Sequence, residues 1–213
     1  MKIEFILASG SPRRKSLLND AGLEFKVIVP EIIEKVLPNE LPEAYVNRNS
    51  DEKAQAILTK YKSINKQPIL ILAADTIVVL AGEILEKPES ENDAMGMLSK
   101  LSASTHQVLT GYSVVLSSGG QVVQRHFIER TNVTFKSLSD LEIKRYVETG
   151  EPMDKAGAYA AQGVGAYMIE SIDGSYTNVI GLPISQVFSN IEVVLNQIDG
   201  VSYEQLPFLY SQK

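Results

Sequence analysis

The chain has no cysteine and no tryptophan, only two histidines, and no apolar run long enough to cross a bilayer. Without cysteine it has no disulfide framework, thiolate metal site or cysteine nucleophile, and this suits a reducing compartment such as the cytoplasm. His106 and His126 fall in no His-x-x-x-His spacing and beside no Gly-x-Ser-x-Gly elbow, so neither a zinc-protease helix nor a serine-hydrolase scaffold is legible. The longest apolar stretches, Ile69 to Ala74 and Ile77 to Ala81, are split by Asp75 and Thr76, far short of the roughly 20 residues a membrane span needs. The apolar start is interrupted by Glu4 and runs directly into a motif, which makes it a first strand rather than a signal peptide. There is no excess of positive charge: the formal net charge is -6 over 213 residues. That opposes nucleic acid as a partner, which calls for a broad basic footprint, but says little about one small anion held by a local cluster. Long linkers, internal repeats, a P-loop string and a Gly-x-Gly-x-x-Gly after the first strand are also missing, which removes repeat proteins, P-loop NTPases and dinucleotide-binding Rossmann proteins.

What remains is an ordinary globular composition, 44% hydrophobic and 22% charged, arranged as alternating elements. Ile3 to Ala8 reads as a strand, Pro12 to Ala21 as a helix closed by Gly22, and Phe25 to Val29 as a second strand. Pro42 to Tyr61 has amphipathic helical spacing. Ile69 to Leu80 is β-branched and turns at Ala81 and Gly82 into Glu83 to Glu86. Ser90 with Asp93, and Ser139 with Glu142, are capping-box signatures of two further helices, the second ending near Gly150. Gln107 to Leu116 and Gln121 to Phe135 flank Ser-Ser-Gly-Gly as a long hairpin. Ile184 to Ile198 reads as a last helix, after a polar, glycine-marked loop over Ser171 to Pro183. The sum is a mixed α/β protein, with residues 1–200 as a single domain and 201–213 as a C-terminal tail.

Three places in this pattern carry chemistry. Ser9-Gly10-Ser11-Pro12-Arg13-Arg14 is a strand-to-helix junction in which Ser11 caps and Pro12 takes the first helical position. Two arginines in a first turn oppose the helix dipole. A bound anion such as phosphate would account for them, as would solvent exposure or acidic partners at Glu31 or Glu34. Asp75 lies inside an otherwise apolar strand; an unpaired buried carboxylate costs several kcal/mol, roughly, so it calls for a cation or a catalytic task. Glu31 and Glu34 are oxygen ligands of the kind Mg²⁺ and Mn²⁺ prefer. The small-residue stretch Met153 to Gly163 allows a close backbone approach to a ligand or a tight structural turn.

Together these strings resemble the Maf family of nucleoside triphosphate pyrophosphatases, also described as septum-formation inhibitors. The resemblance runs in order through Leu7 to Arg14, Tyr45-Val46-x-Arg48, Lys53-Ala54, Ala73-Ala74-Asp75-Thr76 and Lys87-Pro88. It continues through His106-x-Val108-x-Thr110-Gly111, Asp154 to Tyr159, Gln162-Gly163 and Asn178-Val179-x-Gly181-Leu182-Pro183. It implies a two-lobed α/β fold around an elongated mixed sheet, like the inosine triphosphatases (Ham1), with the active cleft between the lobes and often a homodimer. It implies a nucleoside triphosphate substrate, cleaved to a monophosphate and pyrophosphate with a divalent metal cation, Mg²⁺ or Mn²⁺. Carried over by position, Asp75 is the catalytic base. Arg13, Thr76 and Gln162 sort substrates. Ser9, Arg13, Arg14, Lys53 and Lys87 bind phosphate, and Glu34 with Asp75 holds the metal.

The version Lys155-Ala156-Gly157-Ala158-Tyr159…Gln162-Gly163 resembles the branch acting on dTTP and UTP. A glutamine amide can pair with the N3-H and a carbonyl of uracil or thymine, with Thr76 as the fixed partner that keeps its orientation. The rivals are the same chemistry on another base (CTP or 7-methyl-GTP) and a nucleotide-binding regulator of septum formation without turnover. Four departures from the family pattern stand out. Glu31-Ile32-Ile33-Glu34 replaces an expected Asp-x-Asp-Glu, and Ser102-Ala103-Ser104-Thr105 an expected Ser-Gly step. Arg48-Asn49-Ser50 stands for an expected Arg-Leu-Ala, a change expected to touch helix packing more than chemistry. The tail from Val201 onward lies beyond the resemblance.

Overall fold

The computed structural model describes residues 2–61 and 67–209. One mixed seven-stranded sheet forms its centre, in the order β2-β1-β3-β5-β6-β7, with β4 beside β3. The strands are β1 (Glu4–Ala8), β2 (Lys26–Val27), β3 (Ile69–Leu80), β4 (Glu83–Leu85), β5 (Thr105–Ser118), β6 (Gln121–Phe135) and β7 (Ile169–Asp173). The helices are α1 (Pro12–Asp20), α2 (Pro42–Tyr61), α3 (Glu91–Leu101), α4 (Asp140–Val147), α5 (Tyr176–Ile180) and α6 (Ile184–Leu195). The Ser139/Glu142 capping box forms as its spacing predicts, and Ser90 accepts from the Asp93 amide at the head of α3. The segment read as a polar loop contains instead the end of β7 and the short helix α5, capped by Ser175.

The long strand β3 decides where a site can form. One of its edges is covered by β5, from Ile69 opposite Ser117 to Val79 opposite Gln107. The other edge is shared: β1 pairs in parallel with Ile69 to Ala73, and β4 pairs antiparallel with Val78 to Leu80. Residues 74–77 therefore have an open edge, just where β1 ends and the chain turns into α1. Parting of the chain at a strand's carboxyl end is the standard way an α/β sheet makes a crevice.

The side chains of β3 alternate between two covers, because strand neighbours point to opposite faces. Ile69, Ile71 and Ala73, then Ile77 and Val79, pack under α2. On the opposite face Leu70, Leu72 and Ala74 join a core with α1 and α6, whereas Val78 joins a separate core with α3 and α4. Two lobes thus share one sheet. Helix α2 lies close enough that a Cβ on Gly111 of β5 would sit 2.6 Å from the Val46 carbonyl oxygen. Residues 201–209 fold back onto the start of the chain: Phe208 bridges Leu23, the Gln205 carbonyl accepts from the Ile3 amide at 3.0 Å, and Leu206 is buried. No helix among the described residues is long and apolar enough to cross a membrane.

Candidate active site

The open stretch of β3 faces a cleft of about 960 Å³ between the lobes, near the upper end of the roughly 300–1,000 Å³ usual for small-molecule sites. Five of the chain's twenty basic residues line it: Arg13, Arg14, Lys53, Lys87 and Lys155. They stand among five acidic residues, Glu34, Asp75, Glu86, Glu151 and Asp154, so the cleft is densely charged with both signs.

Asp75 sits at the floor, 7% exposed. Lys53 Nζ donates to its Oδ1 at 2.8 Å and Asn49 Nδ2 donates to its Oδ2 at 3.0 Å, so each carboxylate oxygen has a donor. Burial pushes this carboxyl up, but the charge and hydrogen bond of Lys53, with Arg14 and Asn49 behind them, hold it below the usual carboxylate range. The group is an anion at neutral pH. Lys53, itself buried, also donates to Glu34 Oε2 at 2.8 Å. The two acidic residues proposed as metal ligands therefore converge on one cation position, that of the lysine ammonium. Among the described residues no group of three or more His, Cys, Asp or Glu gathers as a metal site, here or elsewhere.

The adjacent arginines, given one task by the sequence, have two. Arg14 is buried and points inward: Nε donates to the Gly181 carbonyl at 2.8 Å, Nη1 to the Ala74 carbonyl at 2.8 Å and Ser9 Oγ at 3.2 Å, and Nη2 to Thr76 Oγ1 at 2.9 Å. Its fork is spent on the open edge of β3 and on the turn after α5, leaving its charge behind the cleft. Arg13 stays at the mouth, with Nη1 3.8 Å from Asp154 Oδ2 of the opposite lobe. The acidic partner of Arg13 is thus Asp154, whereas the charge of Arg14 is balanced by Asp75 and, as expected, by Glu34. Lys87 and Gln162 are exposed in the cleft, with no hydrogen-bond or ion-pair partner among the described residues. Ser9 Oγ accepts from the Ser11 amide at 3.2 Å as well as from Arg14, and Ser11 caps α1, whose first turn opens onto the cleft. Thr76 Oγ1 lies within 3.2 Å of Arg14, Thr110 and the Gly181 carbonyl, so its hydroxyl is engaged within the protein and not offered to a base.

The far wall explains the small residues from Met153 onward. Gly157 takes a φ of 65°, and a Cβ there would meet Val78 at 2.9 Å, while its amide donates to the Glu86 carbonyl at 3.1 Å. Glu151 accepts from the amides of Val164 and Gly165, tying down the backbone that follows Gln162. Tyr159 lies in the same wall, with its hydroxyl 2.8 Å from Nε2 of buried His106. The sequence reading omitted Tyr45, Asn49, Glu86 and Glu151 from the site. Tyr45, Asn49, Lys53 and Ile57 follow one another at intervals of four along α2, a stripe that a search for apolar positions passes over because its middle two residues are polar.

An α/β sheet opened at a strand edge, with a buried carboxylate on the floor of a cleft that carries arginines and lysines on its walls, is the architecture of an α/β protein with a site for a small charged ligand. A family model described as "Maf-like protein" matches residues 4–194. The chain belongs to that family. It is 47% identical over 190 residues to a dTTP/UTP pyrophosphatase of Geobacter sulfurreducens, covering 89% of this chain and 96% of that one. Over 188 residues it is 47% identical to a protein of the same name from Halalkalibacterium halodurans, covering 88% and 94%. Among solved structures, the Ham1 protein of Staphylococcus aureus is matched at 18% identity over 78% of this chain and 79% of that one, with a TM-score of 0.35. That score adds nothing to the mixed α/β sheet seen directly.

Proposed function

We propose that this protein hydrolyses dTTP and UTP to the nucleoside monophosphate and pyrophosphate. The observation that carries the reading is Asp75, an anionic carboxylate on the floor of a cation-lined cleft; simple anion binding gains nothing from a carboxylate beside phosphates. The names of the relatives support the choice of base.

Arg13, Lys87 and Lys155, with the first turn of α1, face the triphosphate, and Arg14 adds charge from behind. Water attacks the α-phosphorus, the bond from that phosphorus to the α–β bridging oxygen breaks, and pyrophosphate leaves with the electron pair. An efficient general base has a pKa near the working pH. Asp75, held below the carboxylate range, accordingly orients the water and stabilises its developing positive charge more than it stores the proton, which passes to solvent. Glu34 and Asp75 would hold Mg²⁺ or Mn²⁺ together with phosphate oxygens, the ligand mixture these ions prefer. Such an ion, when bound, neutralises charge on the departing pyrophosphate. Gln162, exposed in the cleft, would read the base edge, as its resemblance to the dTTP/UTP branch implies.

The test is pyrophosphate release from a panel of nucleoside triphosphates with Mg²⁺, Mn²⁺ or chelator. Wild type should turn over dTTP and UTP, and Asp75→Asn should lose at least a thousandfold in kcat with its fold intact. Gln162→Ala should narrow the preference over CTP by tenfold or more, since an unpaired polar edge is what rejects the wrong base. Full turnover by Asp75→Asn would sink the mechanism, and an unchanged base preference would sink the assignment of Gln162.

A further inference from the structure

The register between α2 and β3 places an uncharged amide against the acid. Four helical residues advance about 6 Å and two strand residues about 6.6 Å, so a stripe spaced by four on α2 stays in step with one face of β3. Tyr45, Asn49, Lys53 and Ile57 are that stripe. Tyr45 packs in one cluster with Ile77, and Ile57 in another with Ile71. Asn49 and Lys53 between them meet Asp75.

Asn49 is fully buried and its amide is held from both ends. Arg48 Nη1 donates to its Oδ1 at 3.3 Å, which turns Nδ2 toward Asp75. One turn earlier on the same stripe, Tyr45 donates to Glu86 Oε1 at 3.1 Å. Arg48 is itself fixed by Glu40, at 2.7 Å from Nε and 2.8 Å from Nη2. An Asn amide is ambiguous when its neighbours are ambiguous. Here a guanidinium on the oxygen and a carboxylate on the nitrogen leave one orientation.

We propose that Asn49 is a positioning residue for the reaction: with Lys53 on the other oxygen, its amide fixes the plane of the Asp75 carboxylate, so that the acid meets the attacking water in one geometry. This rests on the hydrolytic role of Asp75 and deepens it. Two donors on two oxygens define a plane, whereas Lys53 alone would leave the carboxylate free to rotate about χ2, a broad torsion. The expected change at this position was one of packing; the structure makes it one of chemistry.

The experiment compares Asn49→Leu and Asn49→Asp with wild type by steady-state kinetics on UTP and by NMR of the Asn49 side-chain amide. Leucine keeps bulk and removes the donor; aspartate keeps the shape and replaces donor by acceptor. Loss of a hydrogen bond to a charged group predicts about a tenfold fall in kcat for Asn49→Leu, with KM changed less than twofold. Asn49→Asp should be worse than Asn49→Leu although it is the closer shape. The amide protons, assigned by their disappearance in Asn49→Leu, should be protected from exchange in wild type and lose that protection in Asp75→Ala. A packing role predicts the reverse order of the two variants. That order, an unchanged kcat in folded Asn49→Leu, or an amide indifferent to Asp75→Ala would each overturn the proposal. Failure of the wild type to release pyrophosphate from any nucleotide would strike the hydrolytic reading itself and is seen before any variant is made.

Discussion

His106 shows what burial does to one side chain. It is 1% exposed, wedged edge-on against Phe135 and Tyr159, and burial pulls its pKa down to about 4. In the unfolded chain the ring titrates near 6.5. Above that pH both states are neutral and the group contributes no pH dependence. Between 6.5 and 4 the unfolded state takes the proton that the folded state refuses, so stability falls as the pH is lowered, and the loss due to this group is complete below the folded value. The difference amounts to about 3 kcal/mol at its limit. Urea unfolding at pH 7 and pH 4.5 should therefore show a steeper acid loss for wild type than for His106→Phe, which keeps the packing and removes the titration. Equal losses would mean that the ring finds solvent or a counter-ion when protonated. Little of this was visible beforehand, because two histidines without metal spacing look alike in a sequence; only the fold separates buried His106 from His126, which reaches Ser113 at 2.9 Å from an exposed strand. Asp75, by contrast, announced itself, since a charge inside a run of β-branched residues has few bland explanations.

At the scale of elements, strong periodicity was easy to read and mixed periodicity was not. The strands β1, β3, β5 and β6, and the helices α2, α4 and α6, follow their sequence patterns closely, and three serine caps, at Ser11, Ser90 and Ser139, form where expected. The sequence suggests five residues for β2 where two pair, and it hides α5 inside a glycine-marked stretch too short for a helical period to show. The stripe on α2 was concealed because Asn49 and Lys53 are polar, and a search for apolar positions counts them as surface. Seating that helix depends on Gly111. Alanine there would place its Cβ 2.6 Å from the Val46 carbonyl oxygen and 2.7 Å from its carbon, both backbone atoms of α2. Gly111→Ala should cost about 2 kcal/mol in urea unfolding, the usual range for forced overpacking. It should lower kcat at least tenfold, since the helix that lifts away carries Asn49 and Lys53. Full activity alongside the lost stability would separate the seating of α2 from the site. At Ala103, which stands at the expected Ser-Gly step, the backbone holds a φ of 53° with an alanine in the left-handed region, a strain that glycine would not feel.

Across the whole molecule, residues 201–209 stand outside the family match but not outside the fold. Val201 and Leu206 are buried, and Tyr203 and Phe208 pack on the core shared by α1 and α6. A chain ending at residue 200 should lose on the order of 3 kcal/mol, at roughly 1.5–3 kcal/mol per large apolar side chain uncovered. For a chain of this size that corresponds to a melting point lower by roughly 10 °C. Turnover at 20 °C should persist, because this packing lies at the far end of β1 from Asp75. An unchanged melting point would show that the contact contributes nothing.

The continuity of β3 and β5 through both lobes has a mechanical consequence. Eleven consecutive residue pairs join the two strands, from Ile69 opposite Ser117 to Val79 opposite Gln107, and the cleft opens against the middle of that ladder. Rotating one lobe against the other would shear hydrogen bonds along it rather than bend a loop. The two walls are therefore joined through an unbroken ladder and not through a hinge loop, so a change in the width of the cleft has to be taken up along the sheet itself.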